Sequence, residues 1–376
     1  MIEYLKIKCA ASLIPCIYIF CRYNGTYSYK YYSGTNPCSQ SAISHQAMKQ
    51  RTATLLSIAL FTFLLISFLL AWNLDINTTR KRKIRYLYML QTESCLSEYL
   101  REVIGDPSIC PCNVSVLSFK TRCDQPPPPN VKYIFTGRRT SWGGGRNVLY
   151  EEAMKREQEY LYFIIMDDDI SINREWMESR ANPWRRFEEF LERVEPAAAA
   201  IDIVDKLWLR RAANGRQNLG CTSRVNESAE YLSVARYDAA FNAFHNKTIR
   251  NILPYTLKFD HISWIFAPMY VNIKIELLYA GHSVLHNKIF ATNPTHRPYP
   301  KEWPNTEQWN AIVDEAANEL PPKYRNSDLI QGWRRNGTRH EQSSPTICLP
   351  PPPPKMPIRE FAYIDGILDS LHYLTT

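Results

Sequence analysis

A run of seven consecutive apolar residues, Tyr160–Met166, constrains the fold of this chain more than any other feature. Side chains of a β-strand alternate between its two faces, so an unbroken apolar run predicts a strand that is covered on both faces. Such strands are typical of parallel sheets with helices on each side. The run leads directly into Asp167, Asp168 and Asp169. The sequence therefore predicts an α/β fold with three carboxylates at the end of a central buried strand.

Further apolar patterns predict that strands and helices alternate along the chain, as they do in α/β folds. We expect strands near 113–119, 131–135, 197–204, 231–234 and 283–290, and helices near 146–156, 184–194, 247–253 and 262–277. The length of 376 residues and the hydrophobic content of 45% exclude a chain that is disordered throughout. The 10 cysteines are too few for a small scaffold held together by disulfides.

Ala53–Trp72 contains 20 residues without a charged side chain. A helix of this length spans roughly 30 Å, which is the thickness of the hydrocarbon core of a bilayer. We therefore expect a single transmembrane helix, with the membrane as a partner of the protein. The predicted organisation is a cytosolic or irregular segment at 1–52, the anchor at 53–72, a stem at 73–112 with an amphipathic helix near 87–104, a large α/β domain at 113–325 and a proline-rich tail at 326–376.

Two opposing signals bear on the orientation of this anchor. Basic residues crowd its C-terminal flank, which the positive-inside rule assigns to the cytosol: Arg80, Lys81, Arg82, Lys83 and Arg85. Five N-glycosylation sequons follow the anchor and favour a lumenal domain instead: Asn77, Asn113, Asn226, Asn246 and Asn336. We expect the lumenal orientation because the motifs described below favour it.

Five cysteines lie within the region that follows the anchor: Cys95, Cys110, Cys112, Cys123 and Cys221. In a lumenal domain they are candidates for disulfides, whereas in a cytosolic domain they would be buried free thiols. The Cys110-Pro-Cys112 pair has the spacing of half a zinc site but is a poor one on its own.

Three adjacent carboxylates after an apolar strand need a compensating charge, because like charges this close repel one another. A divalent metal supplies that charge, and oxygen ligands suit Mg²⁺ or Mn²⁺. Such an ion commonly bridges to a phosphate, and ligands of open α/β sheets bind at the carboxyl ends of the strands. The alternative is a solvated acidic turn that only begins the next segment.

These parts together resemble a known family. An anchor, a stem and a hydrophobic strand ending in Asp-x-Asp, within WGGGRNVLYEEAMKREQEYLYFIIMDDDI at 142–170, resemble the GT-A nucleotide-sugar glycosyltransferases of the Golgi. The order of elements is similar to that of the β-1,4-galactosyltransferases, over about residues 113–300. The resemblance implies a GT-A-like, Rossmann-like sheet that is mixed but mainly parallel, flanked by helices and preceded by a single N-terminal transmembrane helix. It also implies a type II protein of the Golgi or ER membrane with a lumenal catalytic domain.

The resemblance further implies a metal-dependent transfer of sugar from a nucleotide-sugar, with a UDP-sugar as our first expectation, to a glycan, glycoprotein or glycolipid acceptor. Asp167 would approach the ribose or the metal, Asp169 would bind Mn²⁺ or Mg²⁺, and Asp168 would lie between them. Candidate contacts to the nucleotide are Arg138, Arg139, Gly144, Gly145, Arg146 and Asn147, with the start of the following helix pointing at the phosphates. The alternatives are a solvated basic loop for the arginines and a flexible turn for the glycines.

By the same resemblance, an acidic residue that opens a later helix would be the general base, and the matching position is Asp260. Asp238 is the rival base, and the alternative role of Asp260 is to cap a helix. A histidine would complete the metal shell, with His286 and His296 as the candidates, although a single histidine can equally be structural. The acidic cluster of the galactosyltransferase acceptor loop is reduced here to one aspartate, so retention and inversion both stay open.

Other classes of protein are alternatives to a transferase. A membrane-anchored carbohydrate-binding or adhesion protein without turnover would keep the same fold. A prenyl-diphosphate enzyme would need DDxxD, which fails because residue 171 is serine. The net charge of +8 does not by itself select a partner. We expect no nucleic-acid partner, because the basic run next to the anchor is more simply a juxtamembrane flank. The sequence does not indicate an oligomeric state.

Overall fold

The computed structural model describes residues 3–6, 17–20, 22–23, 26–27, 57, 60–68, 84–172, 182–203, 229–234, 237–293, 305–337 and 352–366. The chain divides into two compact units, Met1–Lys81 and Arg82–Thr376. In the first unit, Glu3–Lys6 pairs with Ile17–Phe20, Arg22–Tyr23 pairs with Thr26–Tyr27, and residues 60–68 are helical. Most of the predicted anchor lies outside the described residues, and none of the helices described reaches the length and apolarity needed to span a bilayer.

Nine strands of the described residues form one sheet in the second unit. They are β1 (Tyr86–Thr92), β2 (Asn113–Ser118), β3 (Val131–Phe135), β4 (Tyr162–Asp167), β5 (Ser171–Ile172), β6 (Ala198–Ile203), β7 (Tyr231–Ser233), β8 (Phe241–His245) and β9 (Ser283–Thr292). Their order is β7-β9-β6-β8-β4-β1-β2-β3, and β5 pairs with β9 outside this order.

The sheet is mixed, as predicted, but it is mainly parallel in only one half. Strands β3, β2, β1 and β4 are parallel neighbours. Strand β8 is antiparallel to both β4 and β6, and β6 and β9 are parallel. Both β5 and β7 are antiparallel to β9. The described residues thus confirm a large mixed α/β sheet that is compatible with a Rossmann-like fold.

Helices cover both faces of this sheet. They are α1 (Glu98–Val103), α2 (Trp142–Met154), α3 (Pro183–Val194), α4 (Ile249–Ile252), α5 (Phe266–Tyr279), α6 (Thr306–Asn318) and α7 (Asp328–Gly337), with a 3-10 turn at Pro322–Tyr324. One core lies under α2 and α4 to α7, and the other lies under α1 and α3. Phe163 and Ile165 of β4 face the first core, and Ile164 and Met166 face the second. The predicted doubly covered strand is therefore confirmed.

Two of the predicted segment boundaries need correction in the described residues. Residues 84–112 are not a stem, because β1 lies between β4 and β2 in the sheet and is buried on both faces. The predicted helix near 87–104 is accordingly wrong over β1, and α1 is a short helix that starts after the N-cap Ser97. Part of the predicted tail also belongs to the folded unit, since Trp333 and Phe361 are buried in the first core.

Helix α2 begins four residues earlier than its sequence predicts. Ser141 is its N-cap, and the Ser141 Oγ accepts a hydrogen bond from the Gly144 amide at 3.1 Å. The triple glycine is therefore the first helical turn and not part of a loop. A Cβ atom at Gly145 would lie 1.9 Å from the Gln91 Oε1, so a larger residue here would force the Gln91 side chain to move. This close approach sets the start of α2 directly against the end of β1.

Candidate functional site

The candidate site lies at the carboxyl edge of the parallel half of the sheet. Strands β1 and β4 run side by side, and Gln91 near the end of β1 is opposite Asp167 at the end of β4. From β1 the chain continues to β2 and β3 on one side, whereas β4 lies on the other side. A crevice forms at such a reversal of strand order, and ligands of open α/β sheets bind there.

Arg146 holds Asp167 in place from the first turns of α2. Its Nη2 donates to the Asp167 Oδ1 at 2.6 Å, and its Nη1 donates to the Ala239 carbonyl oxygen at 2.9 Å. The guanidinium carbon lies 3.7 Å from the centre of the Trp142 ring. Because the Arg146 side chain is only 1% exposed, it cannot reach a bound diphosphate as the sequence suggested. Arg146 is a positioning residue for Asp167.

Three of the predicted carboxylates act on one another at this edge. Burial raises the pKa of Asp167 to about 6; the Arg146 charge opposes this shift, and the charges of Asp169 and Asp238 add to it. Asp238 is exposed in the segment that precedes β8, and its Oδ1 accepts from the Ala240 amide at 2.8 Å. The Asp167 amide donates in turn to the Ala240 carbonyl at 2.8 Å. Asp167, Asp169 and Asp238 are thus near enough for their charges to act on one another.

The donor set fits a divalent ion that is shared with a ligand. Arg146 engages the Oδ1 atom of Asp167, and the Asp167 side chain is a quarter exposed. The aspartates do not form a cage, because the groups of three ligand atoms within 4.8 Å in the described part of the chain lie elsewhere. Mg²⁺ and Mn²⁺ sites of nucleotide enzymes commonly use one or two carboxylates together with phosphate oxygens and water. Asp167 and Asp169 can serve as such a pair.

Asp260 lies at the start of α2 and not at the start of the helix that follows it in the sequence. That later helix, α5, begins at Phe266, so capping of its own helix is ruled out for Asp260. Instead, the Ser141 Oγ donates to the Asp260 Oδ2, and the Gly144 amide also donates to this carboxylate. Burial raises the pKa of Asp260. The Asp260 Oδ1 is buried without a hydrogen-bond partner among the described residues, so an acceptor reaches it only if the side chains that cover it move.

The first turns of α2 therefore connect both ends of the site. Ser141 binds Asp260 and Arg146 binds Asp167, while the Trp142 ring between them packs against Tyr255 and Trp264 at centroid distances of 5.4 and 5.6 Å. A single helix end thus fixes Asp167 and Asp260 relative to one another.

Two further predicted nucleotide contacts serve the fold instead. Asn147 is buried and exchanges two hydrogen bonds of 2.8 Å with the backbone of Tyr255. The Gly144 amide is used by Ser141 and Asp260, and the Gly145 amide bonds to the Ser141 carbonyl at 3.0 Å. Both amides thus have partners within the fold, and the predicted approach of a phosphate to the start of α2 stays a prediction.

Neither predicted histidine ligand is found beside Asp167 in the described residues. His286 is fully buried against Phe187 and Phe190 of α3, on the face of the sheet opposite α2. Strands β8 and β6 separate β9 from β4, so His286 lies roughly 14 Å across the sheet from Asp167, at about 4.8 Å per strand. His286 is therefore wrong as a metal ligand beside Asp167. His296 lies outside the described residues.

Arg138 and Arg139 precede the N-cap of α2 in the sequence, and the structure gives no contact between them and Asp167 among the described residues. Both are exposed in the connection between β3 and α2, which leaves the sheet at the same carboxyl edge as Asp167. Asp168 is partly exposed and directly follows the end of β4. The sequence reasoning missed Ser141, Gln91 and Tyr255. A serine three residues before a helical glycine was a readable N-cap signal for Ser141, whereas Gln91 and Tyr255 act only through tertiary contacts.

Comparison of the sequence with protein-family models and with curated proteins gives no match. The function is therefore inferred from the chemistry of the site. It combines a carboxylate pair suited to a divalent ion, two exposed guanidinium groups suited to phosphate, and a separate carboxylate with an unpartnered oxygen.

Proposed function

We propose that this chain is a metal-dependent glycosyltransferase with a GT-A-like, Rossmann-like catalytic domain. The observation that carries the proposal is the pairing of Asp167 and Asp169 at the carboxyl end of β4 with Asp260 held separately at the start of α2. The donor is a nucleotide-sugar, with a UDP-sugar as the first candidate, and the acceptor is a hydroxyl of a glycan, glycoprotein or glycolipid.

On this proposal, Asp167 and Asp169 would hold the Mn²⁺ or Mg²⁺ ion. The bound ion neutralises the charge that develops on the departing nucleoside diphosphate. Arg138 and Arg139 bind the diphosphate oxygens, for which guanidinium has the matching geometry. Arg146 keeps the Asp167 carboxylate turned towards this group and touches no substrate.

Asp260 is the better candidate for the general base than Asp238. Its Oδ2 is held by Ser141, which orients the carboxylate, and its buried Oδ1 has no partner among the described residues and would take the proton once an acceptor displaces the side chains over it. The acceptor hydroxyl loses its proton to the Asp260 Oδ1 as its oxygen attacks the anomeric carbon and the nucleoside diphosphate leaves. The charge of Asp238 raises the pKa of Asp167, which supports a role for Asp238 beside Asp167 and not as the base. A single displacement of this kind inverts the anomeric configuration.

A lumenal location in the Golgi or ER, behind a single-pass type II anchor, completes the proposal. The disulfide Cys95–Cys123 supports it, because disulfides persist in oxidising compartments.

The test is an assay of the full chain with UDP-, GDP- and CMP-sugars, Mn²⁺ and a panel of glycan acceptors, measured as transfer and as release of free nucleotide. Asp169→Asn should abolish turnover, and Asp260→Asn should lower kcat at least about 100-fold while leaving the donor KM nearly unchanged. Glu151→Gln, which removes an exposed carboxylate of α2, is the matched control and should keep full activity.

Full activity of Asp169→Asn would contradict the proposed site. Carbohydrate binding that survives EDTA, without turnover of any donor, would favour the non-catalytic binding protein.

A further inference from the structure

A second cluster of ligand-type side chains lies on the other face of the sheet, under α3. The sulfur atoms of Cys110 and Cys112 and a carboxylate oxygen of Glu188 lie within 4.8 Å of one another, and all three residues are buried. The cysteines belong to the segment that leads into β2, and Glu188 projects from α3. The cluster shares no residue with the Asp167 site, so it is independent of the proposed transferase activity.

We propose that Cys110, Cys112 and Glu188 form a binding site for a thiophilic divalent cation of the zinc class, open when the Cys110–Cys112 disulfide is reduced. The structure shows the disulfide form, in which the two sulfur atoms are bonded to each other and the site is closed. The dithiol form presents two thiolates and one carboxylate, which is a donor set that zinc commonly uses.

The surroundings of Glu188 favour this role. Its Oε1 atom faces the Cys110 Sγ at 3.5 Å and accepts from the Tyr88 hydroxyl at 3.2 Å. Its Oε2 atom accepts from the Arg185 Nη1 at 2.9 Å. Hydrogen bonds of this kind to the second oxygen orient a ligating carboxylate. Glu188 is therefore held with one oxygen towards the sulfur atoms.

The sum of the charges in the reduced cluster also favours a divalent cation. Two thiolates and the Glu188 carboxylate carry three negative charges, and the neighbouring Arg185 supplies one positive charge. A divalent cation makes the buried group neutral, which is what an apolar interior requires of it. The two cysteines and Glu188 would supply three protein ligands to the ion.

The disulfide itself is a weak structural link. Its cysteines are only 2 residues apart, whereas the Cys95–Cys123 disulfide joins residues 28 apart. A link across so short a loop removes little freedom from the unfolded chain, so opening it costs the fold little of that contribution. A thiol or phosphine reductant supplies the two electrons that cleave the sulfur–sulfur bond, and the cation then displaces two protons from the dithiol to solvent.

The experiment uses the full chain, reduced with a phosphine, separated from excess reductant under anaerobic conditions and titrated with Co²⁺. Binding is followed by the thiolate-to-cobalt charge-transfer absorbance and by its loss on competition with Zn²⁺. We expect one site per chain that is present in Cys95→Ser/Cys123→Ser and absent from Cys110→Ser/Cys112→Ser. The first double variant is a matched control, because Cys95 and Cys123 lie beside Asp124 in a comparable but more exposed group.

Glu188→Gln should weaken the affinity for Zn²⁺ at least about tenfold, because it removes a charged ligand. A second readout needs no variant. Zn²⁺ should slow the alkylation of Cys110 and Cys112 in the reduced wild-type chain, followed by peptide mass spectrometry, and leave that of Cys95 and Cys123 unchanged. The proposal is overturned if the reduced chain binds no Co²⁺, if Cys110→Ser/Cys112→Ser binds it as the wild type does, or if Zn²⁺ protects neither cysteine.

Discussion

Arg146 joins three parts of the candidate site, because its side chain contacts Asp167, the Ala239 carbonyl and the face of Trp142. Replacing it by methionine keeps much of its volume but leaves the Asp167 carboxylate without its partner in a partly buried position. We expect Arg146→Met to lower the free energy of unfolding by about 3–5 kcal/mol, measured by urea denaturation.

Arg138→Met is the matched control for this variant, because Arg138 is exposed near the same edge of the sheet. We expect it to change stability by less than about 0.5 kcal/mol. Equal stability of the two arginine variants would contradict the positioning role of Arg146.

Gly145 is a second residue whose identity follows from a close approach. A Cβ atom there would overlap the Gln91 side chain, so Gly145→Ala should destabilise the protein by about 1–3 kcal/mol. The double variant Gln91→Ala/Gly145→Ala removes the clash, and it should be more stable than the sum of the two single changes predicts. Additive losses in a thermal unfolding series would show that Gln91 is not what excludes a side chain at residue 145.

His286 affects stability through pH and not through a metal. Burial, with smaller contributions from the charges of Arg186 and Arg193, lowers the pKa of His286 to about 3, and Glu230 at 3.8 Å does not offset this. The unfolded chain therefore binds more protons than the folded chain between pH 3 and the unperturbed value of about 6.5, so stability falls as the pH is lowered through this range.

We expect His286→Asn to remove this acid sensitivity. From pH 7 to pH 5, the unfolding free energy of the variant relative to the wild type should rise by about 2 kcal/mol, measured by denaturation at both pH values. His261→Asn is the control, because His261 is exposed. A difference between variant and wild type that does not change with pH would contradict the explanation.

At the scale of elements, β1 shows what the sequence could not reveal. The segment YLYMLQT contains apolar residues that fit both helical and strand periodicity, and its burial on both faces comes from pairing with β4 and β2. Those contacts join residues that are distant in the sequence, so a local pattern cannot predict them. Strand β4 was predictable because its apolar run is unbroken, and the three aspartates follow it directly.

The disulfide Cys95–Cys123 joins the segments that leave β1 and β2 at the carboxyl edge of the sheet. For a loop of this length, loss of the link should lower the free energy of unfolding by about 3–4 kcal/mol. We expect this loss in Cys95→Ser/Cys123→Ser, measured by denaturation without reductant. Stability equal to that of the wild type would mean that the link does not constrain the unfolded chain.

At the scale of the whole molecule, the sequence predicted the fold class better than the arrangement of the site. Asp167, Asp169, Asp238 and Asp260 could be proposed from motifs, and the structure brings the first three together at one edge. The strand order, the burial of Arg146 and Asn147 and the separation of His286 from this edge all depend on long-range pairing, for which a single sequence contains no local signal. The site thus forms where the order of the strands reverses between β1 and β4, and the start of α2 packs against this point.

The most direct test of the central claim is a thermal unfolding measurement of the full chain with UDP, GDP and CMP, each with Mn²⁺ and with EDTA. At about 100 times its dissociation constant, a bound nucleotide stabilises a protein by about 2.7 kcal/mol, which is readily measured. We predict that one nucleotide, UDP first of all, raises the unfolding temperature only when Mn²⁺ is present, and that Asp169→Asn loses this effect while Glu151→Gln retains it. No metal-dependent shift with any nucleotide, or an equal shift in Asp169→Asn, would contradict a metal–nucleotide site at the end of β4.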